Sequence, residues 1–315
     1  MRVTTGEIAA VPSGLLCFPA VRRHQLDGLD GHHRDTTKRA GNIGREQVRQ
    51  LQEAGHDIRG FDRVAKSRAM DYEYIAGDLR DLYTVRQAVG GVEAVIHLGA
   101  IPSDRHGCAD DVLATNVQGT WNVLLACVEA GVERIVNYSS VNALGCVGGY
   151  KEGIHLPVDD SYPRHPHSPY QISKHLGEEM CTAFTNRHGL ITLSLRPVAV
   201  LYSENYHWCR DAVKRGGEHG KVEYWAYVDR RDVARAGVLA LTAQGVKNDA
   251  FLLSARDTVI DIPTQELVDT YYANTPWIKE RATYLNGETY RALLDCSHAK
   301  EVLGWAPEHS WRDET

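Results

Sequence analysis

The chain has 315 residues, 43% of them hydrophobic and 24% charged, with a formal net charge of −6. A chain of this length buries a sizeable core, as one large α/β domain or as a domain with a smaller lobe. The acidic balance, with no clustered Lys/Arg stripe, argues against a nucleic-acid or anionic-membrane partner, and no apolar run approaches the ~18 residues of a membrane span.

Near the start, Gly14–Val21 is apolar but interrupted by Pro19 and lacks a basic lead-in, so it does not read as a signal peptide. Residues 32–39 are polar and charged throughout. From Gly41 onward strand and helix alternate. Ile43, Val48, Leu51 and Ala54 form a helical stripe closed by Gly55. His56–Asp62 reads as a strand, and Val92–Ala100 as a buried parallel strand. Val112–Ala130 is predicted as one long amphipathic helix ending at Gly131, followed by the strand Arg134–Ser140. A helix beginning at Pro169 carries Leu176, Met180 and Phe184 on its apolar side, and Ile191–Arg196 is the last strand of this series. Such alternation predicts a doubly wound parallel (Rossmann) sheet with helices on both faces, its ligands bound beyond the carboxyl ends of the strands. After Pro197 aromatics become frequent and helices shorter, as in a smaller substrate lobe. The expected division is an atypical segment 1–39, a dinucleotide-binding domain 40–197 and a substrate-binding lobe 198–315.

The stretch most suggestive of chemistry is Ser168-Pro169-Tyr170-Gln171-Ile172-Ser173-Lys174, read with Ser139-Ser140 upstream. Ser168 suits a helix N-cap and Pro169 the first helical position. Tyr170 and Lys174 then lie one turn apart on the same helix face. An ammonium beside a phenol favours the phenolate and lowers its pKa from about 10 toward the working range. Such a tyrosine takes the proton of an alcohol while hydride leaves the same carbon, and a serine hydroxyl from a strand end holds the oxygen. Tyr-x-x-x-Lys is also common by chance on ordinary helices, so its context carries the reading. The cysteines (17, 108, 127, 146, 181, 209, 296) are scattered with no Cys-x-x-Cys, which predicts free thiols in a reducing compartment, the cytoplasm by default. His32-His33 and His165/His167 lack carboxylates at ligand spacing, so no metal site is expected.

Taken in order, these residues resemble the extended short-chain dehydrogenase/reductase family, the NAD-dependent epimerases and dehydratases of sugars. Ala40-Gly41-Asn42-Ile43-Gly44 is similar to the second half of its glycine turn, and Asp62, with Arg63 beside it, stands where the family holds the adenosine ribose. Asp78-Leu79 resembles the adenine-side motif, Leu98-Gly99-Ala100 the turn over the cofactor, and Asn116 an active-site helix asparagine. Ser140 corresponds to the catalytic serine, Tyr170 and Lys174 to the catalytic pair, and Arg196-Pro197 to the strand end beside the nicotinamide. Asp295 to Lys300, followed by Leu303-Gly304-Trp305, resembles the closing motif. The resemblance implies NAD as cofactor, a small-molecule sugar substrate and a homodimer. The carboxylate at Asp62 favours NAD over NADP, because it accepts from a ribose hydroxyl and repels a 2′-phosphate. Glycine and the helix start at Gly44 suit a pyrophosphate.

The chain departs from the family in two places. The family opens on an apolar strand running into Thr-Gly-x-x-Gly, whereas residues 32–39 here are polar and Lys38 stands for the first glycine. A charged run cannot form a strand buried on both faces without a large desolvation cost. Either Gly14–Val21 supplies a substitute strand through a long loop, or the chain begins out of frame; the second is the expectation taken here. The other departure is Trp225-Ala226 before Tyr227-Val228-Asp229, where nucleotide-sugar enzymes place a diphosphate-binding arginine. Only Arg230 or Arg231 could compensate, and helix-start arginines ordinarily face solvent. The resulting expectation is an oxidoreductase acting on a secondary alcohol of a sugar or nucleotide sugar, in the manner of an epimerase. A free uronate or aldose dehydrogenase and a non-catalytic dinucleotide sensor are the alternatives. Dehydratase is disfavoured, because Val141-Asn142 replaces the usual Asp-Glu pair.

Overall fold

The structure, a computed structural model, describes residues 14–18, 41–64, 71–149 and 153–314. In chain order the elements are β1 (Gly14–Phe18), α1 (Gly41–Glu53), β2 (Asp57–Asp62), β3 (Glu73–Ala76), α2 (Leu82–Val89), β4 (Ala94–His97), α3 (Ala109–Leu113), α4 (Gly119–Ala130), β5 (Arg134–Tyr138), α5 (Pro169–His188), β6 (Ile191–Pro197), β7 (Ala199–Leu201), α6 (His207–Arg215), β8 (Tyr227–Asp229), α7 (Arg230–Thr242), β9 (Asn248–Leu253), α8 (Thr264–Tyr271), α9 (Arg281–Leu285) and α10 (Ser297–Leu303).

A seven-stranded sheet runs β3-β2-β1-β4-β5-β6-β9, with every neighbouring pair parallel. Its central strands are apolar on both faces, and side chains alternate between two cores. Val95 and Ile135 face α2, α4 and α5 with Val85, Val123, Leu124 and Phe184. Ile96 and Val136 face α1, α7 and α10 with Val48, Leu51, Ala236, Ala240 and Leu303. This is the doubly wound architecture predicted from the alternation of elements. The strand order reverses between β1 and β4, which opens the ligand crevice at their carboxyl ends.

The first strand differs from the expectation taken. The central place is filled by Gly14–Phe18, with Leu16 aligned to Arg59 of β2 on one side and to Val95 of β4 on the other. This short apolar run can sit between two neighbours where the charged run at 32–39, which lies outside the described residues, could not. The sheet therefore does not require an out-of-frame start.

Other boundaries moved for local reasons. The strand expected over Val92–Ala100 pairs only over Ala94–His97, where its ladder ends and the Leu98-Gly99-Ala100 turn begins. The helix expected over Val112–Ala130 is broken into α3, a π-helical turn at Ala114–Gln118, and α4. Leu176, predicted apolar-side, is 38% exposed, while Phe184 is buried. The sheet also continues past residue 197: β9 pairs with β6 along its whole length, so the division at 197 does not coincide with the sheet edge. The C-terminal motif is structural. Trp305 is fully buried and its indole N–H donates to the Asp232 carbonyl at 2.8 Å.

Leu16→Pro removes a ladder donor from the middle of the sheet and leaves a buried carbonyl unpaired, a loss of about 1–3 kcal/mol. The expected outcome is a lower thermal midpoint by circular dichroism. An unchanged midpoint would place the central strand elsewhere in the chain.

Candidate active site

At the carboxyl ends of β4, β5 and β6 lies a cavity of about 340 Å³, lined among others by Ile43, Leu98, Ala100, Ser140, Tyr170, Lys174 and Pro197. Seven of the residues singled out in the sequence thus meet at one place. Local chemistry puts each of them there. Ser168 caps α5 by accepting from the Gln171 N–H at 3.3 Å, with Pro169 in the first turn. The Tyr170 N–H donates to Asp104 Oδ1 at 2.7 Å, which pins the start of α5 to the loop after β4. Ser140 leaves β5 in extended conformation and caps the turn Val141–Leu144, accepting from the Asn142 N–H at 3.2 Å. Gly145 follows in left-handed conformation (φ +70°), and a Cβ there would lie 2.1 Å from the His165 carbonyl oxygen, so only glycine fits this reversal.

The electrostatics differ from the sequence expectation. Lys174 Nζ donates to the Tyr138 carbonyl at 2.6 Å and stands 5.9 Å from the centre of the Tyr170 ring. Burial pushes the Tyr170 phenol up to about 12, against a smaller lowering by its hydrogen bond to Ser140. Burial likewise brings Lys174 down to about 8, with Glu178 pulling the other way. Desolvation is the largest cause for each group and Lys174 is not among the causes acting on the phenol, so in the protein alone the lysine does not depress it. Tyr170 is half-buried overall, and its hydroxyl lies on the desolvated side.

The remaining predicted residues lie off the cavity. Asp62 is buried at the end of β2; Oδ1 accepts from the Val64 N–H at 3.3 Å, and Oδ2 has no partner among the described residues. Burial raises its pKa to about 7, despite lowering by backbone N–H groups and Arg63. A buried carboxylate oxygen left without a donor fits a ligand that brings hydroxyl groups. Asp78 is held by Arg80 (Nη2 to Oδ2, 2.7 Å), with Arg63 at 3.9 Å. Leu79 packs on the strand turn: a Cβ on Gly99 would come within 2.6 Å of its Cδ1. Gly44 is buried in the first turn of α1, a helix that begins at Gly41, earlier than predicted. The side chains of Gly41 and Asn42 lie outside the described residues.

Asn116 does not reach the cavity. From the π-helical turn its Oδ1 accepts from the Ile101 N–H at 2.7 Å, and its Nδ2 donates to the Ile101 carbonyl and to Ser173 Oγ, each at 3.0 Å. It ties the loop after β4 to α5, and the widened turn is what aims it inward.

Behind the cavity, Arg196 at the end of β6 is 1% exposed. It donates to both oxygens of Glu178 on α5 (2.9 and 2.7 Å) and to Asp160 Oδ1 at 3.0 Å. Ser139, beside Ser140, donates to Glu178 Oε1 at 2.6 Å. Burial works to raise Glu178, but the guanidinium beside it holds it below the ordinary carboxylate range. Asp160, with Oδ2 unpartnered, is raised to about 7 by burial in spite of Arg196. Arg196 and Ser139 were singled out in the sequence for other reasons, but their pairing with Glu178 and Asp160 was missed because those partners are far apart in sequence and carry no motif.

Arg230 and Arg231, which could have compensated but were expected to face solvent, do not line the cavity. Arg230 pairs with Glu204 at 3.2 Å and lies over the Tyr202 ring, and Arg231 is bound to Asp229 and Glu314, each at 2.7 Å. Among the described residues Lys174 is the single cation in the lining; Glu223, which sequence reasoning passed over, also lines the cavity. Among the described residues no cluster of three or more His, Cys, Asp or Glu has metal-binding geometry, and no helix is long and apolar enough to cross a membrane.

The family model described as the NAD dependent epimerase/dehydratase family matches residues 39–253. A uronate dehydrogenase of Pseudomonas syringae pv. tomato is 31% identical over 162 residues, 51% of this chain, and the chain spans 56% of that relative's length. A putative UDP-glucose 4-epimerase of Methanocaldococcus jannaschii is 28% identical over 300 residues, covering 85% of this chain and 91% of its own. The solved UDP-glucose 4-epimerase of Thermotoga maritima, bound to UDP-glucose, shares the fold with a TM-score of 0.65, 22% identity and 94% coverage of both chains.

Replacing Glu178 by alanine strips the buried Arg196 of its bidentate partner and is expected to cost about 3 kcal/mol of stability, read from denaturant unfolding. A loss below about 0.5 kcal/mol would show that Asp160 alone satisfies the guanidinium.

Proposed function

Because this chain belongs to the NAD dependent epimerase/dehydratase family, we propose that its cavity is the active site of an NAD-dependent sugar oxidoreductase, and that it oxidises a hydroxyl of a free sugar. The observation that carries this reading is the convergence of Ser140, Tyr170 and Lys174 on a cavity whose lining, among the described residues, holds no arginine. A diphosphate-linked sugar calls for a bidentate clamp, and the two arginines nearest in sequence are engaged elsewhere. The volume, at the low end of the ~300–1,000 Å³ typical of ligand pockets, suits a single sugar ring.

NAD, when bound, supplies the hydride acceptor. Asp62 holds its adenosine ribose through the unpartnered Oδ2, and the N–H groups of the first turn of α1 receive its pyrophosphate. Leu98, Ala100 and Pro197 line the wall against which the ring to be reduced rests. Ser140 donates to the substrate oxygen and orients it, and Tyr170 Oη takes the hydroxyl proton. Lys174, fixed by the Tyr138 carbonyl, places its positive charge on the side of the phenol away from solvent and offsets the charge Tyr170 develops. With the phenol near 12 in the protein alone, Tyr170 is protonated, so it carries the proton that carbonyl reduction consumes, and sugar oxidation, which releases a proton, is favoured as pH rises. Hydride returned to the opposite face of the keto intermediate would make the enzyme an epimerase, a branch revealed by an epimeric product without net NADH.

Two further features bear on its setting. Trp121 on α4 and Leu176 on α5 are exposed at 48% and 38%, which supports a homodimer through these helices. Cys108, Cys127, Cys146, Cys181, Cys209 and Cys296 are all free thiols, in keeping with a reducing cytoplasm.

Tyr170→Phe deletes the oxygen that takes the proton and nothing else. Turnover, followed as NADH absorbance over a panel of aldoses, uronates and UDP-sugars, is expected to fall by about 10²–10⁴-fold with NAD affinity unchanged. Activity within a factor of about 3 of the parent would remove Tyr170 from this role.

Asp62 sets a pH dependence of cofactor binding. Its carboxyl is protonated below about 7 and ionised above, and the ionised form is the better acceptor for ribose hydroxyls. NAD affinity by calorimetry is therefore expected to weaken several-fold as pH falls from about 8 to about 6. Asp62→Ala should bind more weakly with that dependence gone; an equally steep profile in the variant would assign the titration to another group.

A further inference from the structure

We propose that Glu223 fixes the charge of the substrate, admitting uncharged sugars and turning away those that carry a carboxylate or a phosphate. This rests on the reading of the cavity as the substrate site of a sugar oxidoreductase. Among the described residues that line the cavity only Lys174 and Glu223 bear charge, and Lys174 is already committed to the Tyr138 carbonyl at 2.6 Å. A substrate entering the cavity therefore meets the Glu223 carboxylate as the uncommitted charge among these residues.

The position of Glu223 is built by the backbone. It ends the short turn Lys221–Glu223, with its N–H donating to the Gly220 carbonyl at 3.1 Å and its carbonyl accepting from the Ala226 N–H at 3.0 Å. The next two residues, Tyr224 and Trp225, are both left-handed, with φ of 56° and 52°. Such conformations are costly for bulky side chains and persist where the surroundings impose them. Here both rings are buried, at 3% and 1% exposure. Tyr224 stacks on Tyr272 with ring centres 5.4 Å apart, and the Trp225 N–H donates to the Gly217 carbonyl at 2.9 Å. The sharp reversal sends these two rings into the core and leaves Glu223 and Ala226 on either side facing the cavity.

Among the described residues no lysine or arginine forms an ion pair with Glu223. Glu223 is exposed overall and stands at the rim of the cavity, where partial desolvation still pushes its pKa up, with His219 and Arg105 pulling the other way. A carboxylate only accepts hydrogen bonds, and sugar hydroxyls donate them. The same group therefore recognises a polyhydroxylated neutral ring and repels an anionic one.

Matched sugars that differ only by a carboxylate in place of the terminal hydroxymethyl test this: galactose against galacturonate, and glucose against glucuronate, with NAD and the full chain. The wild-type protein is expected to favour the neutral member by at least about 10-fold in kcat/KM, and the isosteric Glu223→Gln to narrow that ratio by about 10-fold through a lower KM for the uronate. A wild-type preference for the uronate, or a variant in which both members change in proportion, overturns the proposal. Should no sugar be oxidised, calorimetric binding of the same pairs decides. Neutral-selective binding lost in Glu223→Gln supports the role of Glu223 while refuting the oxidoreductase reading, and binding of neither member refutes both.

Discussion

The buried contact between Arg196 and Glu178 is what holds the site together. It joins the end of β6 to the middle of α5 through paired hydrogen bonds of 2.9 and 2.7 Å. Through Ser139, which donates to the same carboxylate, it also fixes the end of β5. Ser140 comes from β5, Tyr170 and Lys174 from α5, and Pro197 from β6. The relative placement of these three elements is therefore set by a single guanidinium that has no water to fall back on. Holding a charge in the interior costs several kcal/mol unless it is fully partnered. The arrangement tolerates little drift for that reason, and Asp160 on the far side of Arg196 closes the cluster at 3.0 Å.

Desolvation governs the rest of the chemistry. Tyr170, Lys174 and Asp62 are each displaced toward their neutral forms by burial. The Asp62 carboxyl and the Lys174 amine are thereby brought near the point of switching protonation state, while the Tyr170 phenol is held protonated. Asp62 is the clearest instance, since one of its oxygens is buried without a donor. The cost of that orphan is offset only when hydroxyl donors arrive, so the protein stores a preference for them.

The sheet explains why these groups meet. β1 and β4 lie where the strand order reverses, and α1, which follows β1, packs on one face of the sheet while α4, which follows β4, packs on the other. That opens the crevice without any residue being designed to do so. The loop after β4 is then drawn back over α5 by Asn116 and Asp104, and the turn through Tyr224 and Trp225 brings the C-terminal part of the chain against the opening.

The sequence by itself determined the class of fold and the inner wall of the cavity. Helix and strand periods of β4, β5 and α5 are written in local side-chain pattern, and Ser168-Pro169 starts α5 where the chain requires it, which places Tyr170 and Lys174 on one face. Strand-end positions such as Leu98, Ala100, Ser140 and Pro197 follow from the same pattern, because ligands sit beyond the carboxyl ends of parallel strands. What only the tertiary structure decided depends on contacts between distant segments. The short run Gly14–Phe18 becomes the central strand because its neighbours β2 and β4 leave that place for an apolar segment, and nothing local in five residues announces it. Asn116 turns from a cofactor residue into a brace because a π-helical turn aims it at Ile101 and Ser173. The phenol rises rather than falls because burial desolvates it, and Lys174 stands 5.9 Å from the ring centre with its ammonium bound to the Tyr138 carbonyl. Glu223 reaches the cavity through two left-handed residues that only a packed aromatic core can hold. Local pattern is carried by neighbours in sequence, whereas desolvation and strain are set by neighbours in space.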